Sequence, residues 1–240
     1  RTRTYTIAME RTVVPENFSF RMTDEEYRVL EKIKNSIPVC YLADHADFAL
    51  GIVTGNNKKF LSAEKTENSE MVLKGTDICK YHINPVKQYL RFEPEQFQQV
   101  APLEIYRAPE KLLYRFISNQ LVVAYDDRQM LSLNSCNIVI PKIDGMQIKY
   151  ILAILNSSVS QFVYQKEFHS IKVLRAHMEH IPIPRVGKAI QNEIIAMTEP
   201  LICGMGKEAA ETCQKRLDCR IMDLFRFSAE EQWIIRHALH

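Results

Sequence analysis

Glycine is scarce in this chain, 7 in 240 residues. No GxGxxG occurs, so a glycine-rich nucleotide cradle is not on offer. The nearest approach to a phosphate loop is Gly204-Met205-Gly206-Lys207. It lacks the first glycine of GxxxxGK[ST] and carries Glu208 where Ser or Thr should stand, so a helix break is the expectation there. No CxxC pair exists among Cys40, Cys79, Cys136, Cys203, Cys213 and Cys219. Cys213 and Cys219 with His237 and His240 fit no standard zinc spacing. Reduced, mostly buried thiols in a cytosolic protein are expected instead. No apolar run reaches the roughly 18 residues of a membrane span. No charge of one sign dominates: 31 basic residues face 29 acidic ones, a net charge of +2. That balance neither demands nor excludes nucleic acid, and any such case must rest on local clustering. The initiator Met is missing too. The chain opens Arg1-Thr2-Arg3-Thr4, so a piece of a longer protein is expected.

Catalytic constellations are equally thin. His169 and Ser170 are adjacent, which does not bring a base within reach of a nucleophile. Asp126-Asp127 ends an apolar run, where a carboxylate pair could hold a metal. No Glu-x-Lys partner follows closely, and a solvated turn is the more ordinary reading.

What is there is a core. Hydrophobic residues make up 46% of the chain, enough for one large domain or a domain with an appendage. The chain is organised around residues 147–184. Ile148, Ile151, Leu152 and Leu155 keep helical spacing, and Tyr150, Ala153 and Ile154 fill the remaining faces. A helix apolar on every side must be buried. Asn156-Ser157-Ser158 breaks it, and Ser158 stands as the expected N-cap of a second helix carrying Val159, Phe162 and Val163. A basic segment follows: Lys166, Lys172, Arg175, Arg185 and Lys188 against Glu167 and Glu179.

Other elements follow from local signals. YTIAM (5–9) reads as a short strand. Thr23-Asp24-Glu25-Glu26 is a capping box, with Met22 and Tyr27 as a staple, opening a helix to about Asn35 that Pro38 forbids from continuing. Phe48, Leu50 and Ile52 alternate as a strand would, and Gly55-Asn56-Asn57 is a turn. A polar loop over 62–70 is expected to be mobile. QYLRF (88–92) reads as a strand, and Pro94 opens a short helix through Val100. Residues 112–117 and LVVAY (121–125) form a hairpin about Ser118-Asn119. Leu131 and Leu133 share one parity and Cys136, Ile138 and Ile140 the other, so a β-bulge is expected near Ser135. From Ala189 the chain reads helical, with a second capping box at Ser228-Ala229-Glu230-Glu231. The expectation is an α+β fold: a mixed or antiparallel sheet holding 111–140, braced by helices, with a C-terminal helical tail. Residues 1–186 form the main domain, and 187–240 a tail packed on it or on a further domain.

Two patches suit nucleic acid. Thr54, Asn56, Asn57, Lys58 and Lys59 combine amides and lysines without an acid; lysines satisfy phosphates and asparagine can pair with adenine. A solvated hairpin tip explains the same residues equally well. Lys166, His169, Ser170 and Lys172 form the second patch, which an ordinary charged surface also explains. Lys74, Lys80 and Arg115 are weaker candidates, Arg115 being open to reading as a snorkelling strand residue.

Four stretches in order, ADFALGIVTGNNKKFL (46–61), VLKGTDICKYHI (72–83), KLLYRFISNQLVVAYDDRQMLSLNSCNIVIPK (111–142) and residues 148–184, resemble the TaqI-like C-terminal specificity domain. This is the target recognition domain of type II restriction-modification proteins that fuse a DNA adenine methyltransferase, often with a nuclease, to a DNA reader. Residues 217–235 resemble the helical ending common after that domain. Where the family often has a basic residue after LKG, this chain has Thr76. The resemblance implies a sequence-specific reader of double-stranded DNA, covalently linked to an upstream adenine-N6 methyltransferase. S-adenosylmethionine and magnesium would belong to those other parts, where the target adenine is flipped out. No NPPY motif is present, Asn84-Pro85-Val86-Lys87 being the nearest approach. Two other readings stay open: a protein-interaction module docking through 189–240, and a metal nuclease using Asp126 and Asp127.

Overall fold

The computed structural model describes residues 22–168 and 170–238. The strand expected at 5–9 lies outside them. Helix α1 (Asp24–Asn35) begins at the capping box: Thr23 accepts from Glu26 N at 3.2 Å and Glu26 accepts from Thr23 N at 3.0 Å. Asp24, Glu25 and Glu26 sit in the first turn and Lys32 and Lys34 in the last, the arrangement a helix dipole favours. Strand β1 (Val39–Cys40) and β2 (Ala46–Ala49) follow, then one helical turn, α2 (Asn57–Phe60). Strands β3 (Leu61–Ser62), β4 (Ser69–Leu73) and β5 (Tyr89–Arg91), the turn α3 (Leu103–Tyr106), and strands β6 (Lys111–Arg115), β7 (Val123–Asp126), β8 (Leu131–Ser132) and β9 (Cys136–Pro141) come next. Helices α4 (Ile148–Asn156), α5 (Ser158–Glu167) and α6 (Arg175–Glu179), strand β10 (Ile183–Pro184), and helices α7 (Lys188–Cys203), α8 (Lys207–Leu224) and α9 (Ala229–His237) complete the order.

Two four-stranded sheets share the core. One is antiparallel, in the order β2-β9-β6-β7; the other is mixed, β3-β5-β4-β8. The antiparallel sheet is covered on both faces. Leu112, Tyr114 and Val139 join the cluster that holds α4 and α5, whereas Leu113, Cys136 and Ile138 join Val72, Leu73 and Leu131 of the mixed sheet. Successive side chains point to opposite faces. This double burial is why β6 and β9 are apolar at both parities rather than alternating. Helix α4 lies against β6 and β7, with every residue from Tyr150 to Asn156 buried. Helices α7, α8 and α9 pack on α4, α5 and α1, and contribute Ile194, Leu217, Ile221 and Ile235 to the same cluster. The second capping box, at Ser228, is formed, and Gly204 at φ +79° ends α7.

Five expectations are corrected. Ser157, not Ser158, caps α5: its hydroxyl accepts from Ser160 N at 3.3 Å. The strand expected through Ile52 stops at Ala49; Leu50 turns outward and Ile52 passes to the mixed sheet, bridging Leu133. The phase change near Ser135 is not a bulge. Residues 133–136 make a tight turn, Cys136 N donating to Leu133 O at 2.7 Å, that carries the chain from one sheet to the other. Pro94 opens only the 3-10 turn Pro94–Gln96. All six cysteines are free, but only Cys40 and Cys136 are buried, and Cys203 and Cys219 are exposed.

Among the described residues no named strand lies along the outer edge of β7; Tyr81 bridges Ala124 there, and side chains close the rest. Asn156 Oδ1 accepts from Val123 N at 3.1 Å, while its Nδ2 donates to Val123 O at 2.8 Å. Gln161 does the same for Leu121, at 2.9 and 3.0 Å. Both amides are buried. Asn156→Leu should therefore lower the unfolding free energy by about 1–3 kcal/mol, because Val123 N is orphaned while Val123 O keeps Tyr81 N. Urea denaturation measures it, and an unchanged midpoint would remove Asn156 from this role.

Candidate nucleic-acid interface

Three chain segments run parallel through the mixed sheet and leave it at one end. Strands β4 and β8 pair in parallel, and Ile52 extends the ladder on the far side of β8, bridging Leu133 in parallel. Leu133 N donates to Leu73 O at 2.7 Å, and Asn134 N to Ile52 O at 3.1 Å. The segments therefore exit together as Lys74-Gly75, Asn134-Ser135 and Val53-Thr54. Close approach explains both glycines here. A Cβ on Gly51 would stand 2.1 Å from Leu133 O, and one on Gly75 would stand 2.5 Å from Ser135 O. Gly75 N donates to Ser135 Oγ at 2.9 Å, which pins the turn after β4 to the turn after β8.

The end of β6 joins the same rim. Phe116 N donates to Ser135 O at 3.0 Å. Beyond it Ile117 pairs antiparallel with Lys172, with Ser118 N donating to Ile171 O at 2.9 Å and Val173 N to Phe116 O at 2.8 Å. So the two basic patches, more than a hundred residues apart in sequence, are joined through the end of β6, where Phe116 bonds both Ser135 and Val173.

The individual side chains divide sharply. Thr54 is buried and donates its hydroxyl to Asn57 Oδ1 at 2.6 Å. Asn56 Oδ1 caps α2, accepting from Lys59 N at 3.2 Å, next to Gly55 at φ +74°. Both asparagine oxygens thus already accept one bond inside the loop, which fixes how the amides point. Lys59 reaches Gln96 at 2.6 Å, over the Phe60 ring. Lys58 and Lys74 are exposed and have no side-chain partner among the described residues. Lys172 is exposed, its ammonium 5.9 Å from the centre of the Phe116 ring. Ser170 closes a local turn, its Oγ accepting from Lys172 N at 3.0 Å. His169 lies outside the described residues.

The other candidates serve the fold. Arg115 bonds Gly75 O at 2.9 Å and Ile78 O, tying β6 to the turn after β4 rather than snorkelling. Lys80 donates to Asn156 O at 3.3 Å on the helix side, and burial pulls its ammonium pKa down. Lys166 faces α1, paired with Glu26 at 2.7 Å. Sequence reasoning missed Asn119, Gln120 and Asn134, all exposed on the rim with side chains free among the described residues. The only signal for them was their place in turns.

Catalysis finds no foothold at the carboxylate pair. Asp126 is fully buried, not part of a solvated turn. It pairs with Lys111 at 2.6 Å and accepts from Arg128 N at 2.9 Å and Met130 N at 3.0 Å. Lys111 also donates to Tyr106 O at 2.6 Å, and burial lowers its pKa. Asp126 is thereby committed to closing the turn after β7. Among the described residues no group of three His, Cys, Asp or Glu is placed to hold a metal ion, and no helix is long and apolar enough to cross a membrane.

Fold and rim together define a class: an α+β module that presents cationic, amide-bearing turns from the end of a small sheet. Residues 70–183, just under half of the chain, match the TaqI-like C-terminal specificity domain. Among solved structures the chain resembles the type IIL restriction-modification enzyme MmeI in complex with DNA, at 11% identity and TM-score 0.54, over 79% of this chain and 34% of that one. It also resembles the type IIG restriction endonuclease BpuSI, at 13% identity and TM-score 0.51, over 90% and 32%. The HsdS subunit from Thermoanaerobacter tengcongensis aligns at 15% identity and TM-score 0.44, over 90% and 50%. The chain thus spans from about a third to half of the solved chains it matches. No curated protein matches it.

Removing the carboxylate charge tests the structural role of the buried pair. Asp126→Asn leaves Lys111 uncompensated in the core and should cost about 3–5 kcal/mol of stability. Chemical denaturation reads this; wild-type stability in the variant would reopen Asp126 as a functional carboxylate.

Proposed function

We propose that the chain reads a specific double-stranded DNA sequence for a type II restriction-modification protein in which it is joined to an adenine-N6 methyltransferase. The observation that carries this reading is the shared rim. Lys58, Lys74 and Lys172 make no side-chain ion pair among the described residues and lie on turns joined through the end of β6 and Ser135. In this reading the three lysines take backbone phosphates, which sets position and affinity, while Asn56, Asn57 and the rim amides meet base edges. Thr54 and Ser170 shape the turns that present them, and Lys59 lies close enough to join. S-adenosylmethionine and magnesium would be held by the linked parts. The tail 187–240 would brace the reader through its inner faces and meet the methyltransferase through its outer ones, where Trp233 is 57% exposed.

Fluorescence anisotropy with a random duplex, over a series of salt concentrations, tests the assignment. Each of Lys58→Ala, Lys74→Ala and Lys172→Ala should flatten the log–log salt dependence by about one unit, one released counterion per phosphate contact. Lys166→Ala should leave the slope unchanged and lower stability instead, because its loss strands Glu26. A triple variant with the wild-type slope would overturn the proposal.

A further inference from the structure

Large apolar side chains are left in water at one place on the rim. Ile117 is 53% exposed, Ile171 is 71% and Leu174 is 43%. Ile117 and Ile171 belong to the antiparallel pairing of 116–118 with 171–173, and Leu174 follows it; the tip beyond the pairing, Asn119-Gln120, is the turn that leads from β6 into β7. Ile117 and Lys172 are direct partners and share a face; Ile171 stands opposite Ser118, on the other face. The tip is held from both sides. Gln120 N donates to Ser118 Oγ at 3.2 Å, and the next residue, Leu121, is buried and clamped by Gln161. Asn119 and Gln120 are exposed, and neither amide has a partner among the described residues.

We infer that this two-stranded ribbon enters the major groove tip first and reads A·T pairs, Ile117 and Ile171 against thymine methyl groups and Asn119 and Gln120 on adenine edges. The inference rests on the DNA-reading proposal and names the residues that supply its specificity. A major groove accepts a two-stranded ribbon, and thymine alone shows a methyl group there. Adenine offers one donor and one acceptor, the complement of a side-chain amide. In contrast with Asn56 and Asn57, both tip amides keep their oxygen and their NH2 free, so each can pair bidentately. Charge selects the occupant. Residues 116–120 and 170–174 contain no acid, while Lys172 lies on the ribbon and Lys74 beyond Ser135. That suits a polyanion with an apolar feature at its floor.

The test starts from duplexes selected by the chain out of a random pool. In the tightest binder each thymine is replaced in turn by uracil, which deletes only the methyl group. One or two of these replacements should weaken binding about fourfold each, the worth of one buried methyl. In Ile117→Thr and Ile171→Thr that discrimination should vanish, with the salt slope and the unfolding midpoint unchanged. Selected duplexes that bind equally well with uracil at every position would overturn the inference while leaving DNA reading intact. Failure to select any duplex would overturn the reading beneath it. A change in self-association in Ile117→Thr, with thymine discrimination kept, would assign the patch to a protein interface and also overturn the inference.

Discussion

Everything in this molecule depends on how the bare edge of β7 is satisfied. A buried edge strand cannot leave its peptide groups empty, since each costs roughly 1–3 kcal/mol. Here alternate residues are closed in turn. Gln161 takes both groups of Leu121 and Asn156 both groups of Val123. Tyr81 N donates to Val123 O at 2.7 Å, and Tyr125 N to Tyr81 O at 3.1 Å. A side-chain amide can do this because it carries the same donor and acceptor as a peptide. The arrangement fixes register as well as energy. Sliding α4 by one residue would carry Asn156 away from Val123 and orphan Val123 N, leaving Val123 O to Tyr81 alone. Tyr81 meets its share at φ +74°, an unfavourable conformation for a bulky residue. Bonds to β7 from both its N–H and its C=O hold it there.

With that edge closed, β6 and β9 can be buried on both faces, and the rim inherits their rigidity. Each turn on it is pinned to a neighbour by backbone or short side-chain bonds: Gly75 to Ser135, Phe116 to Ser135, Asn134 to Ile52. Arg115 crosses between them to reach Gly75 O. A reading surface gains from this, since little conformational entropy is left to lose when it meets a ligand. The exposed groups are long side chains on a fixed backbone, not a loop that must fold on contact.

How much of this was legible beforehand follows the range of the forces involved. Both capping boxes, the buried helix α4, the hairpin of β6 and β7 and the helical tail are written in residues three or four apart, and they were readable. The passage from β8 to β9 was not. A parity switch looks the same whether one strand bulges or two strands join different sheets, and only the long-range partner, Leu73 or Arg115, decides. Asn156 read as a breaker because its local propensity says so, whereas its use lies thirty-three residues away at Val123. The patches were found by residue type, but their juxtaposition rests on Phe116–Ser135 and Gly75–Ser135 contacts that no local pattern carries. The resemblance to a specificity domain supplied what these patterns left out.

The same logic explains why net charge was uninformative and why composition alone did not separate paired from unpaired lysines. Thirty-one basic residues face 29 acidic ones, and the fold gives several of the basic ones a carboxylate. Lys166 is held by Glu26, Lys111 by Asp126, Arg107 by Glu70 and Lys149 by Glu199. A lysine already paired and partly dehydrated must break that pair before it can bind a phosphate, so little is gained by the exchange. One that is exposed and unpaired keeps its hydration and its counterion cloud until a polyanion arrives, and counterion release then favours association. Among the basic residues singled out from the sequence as DNA candidates, sorting by existing partner leaves Lys58, Lys74 and Lys172, while Lys59, Lys80, Arg115 and Lys166 are engaged. In the proposed reading these three set position, and discrimination comes from shape and base edges on a stiff surface.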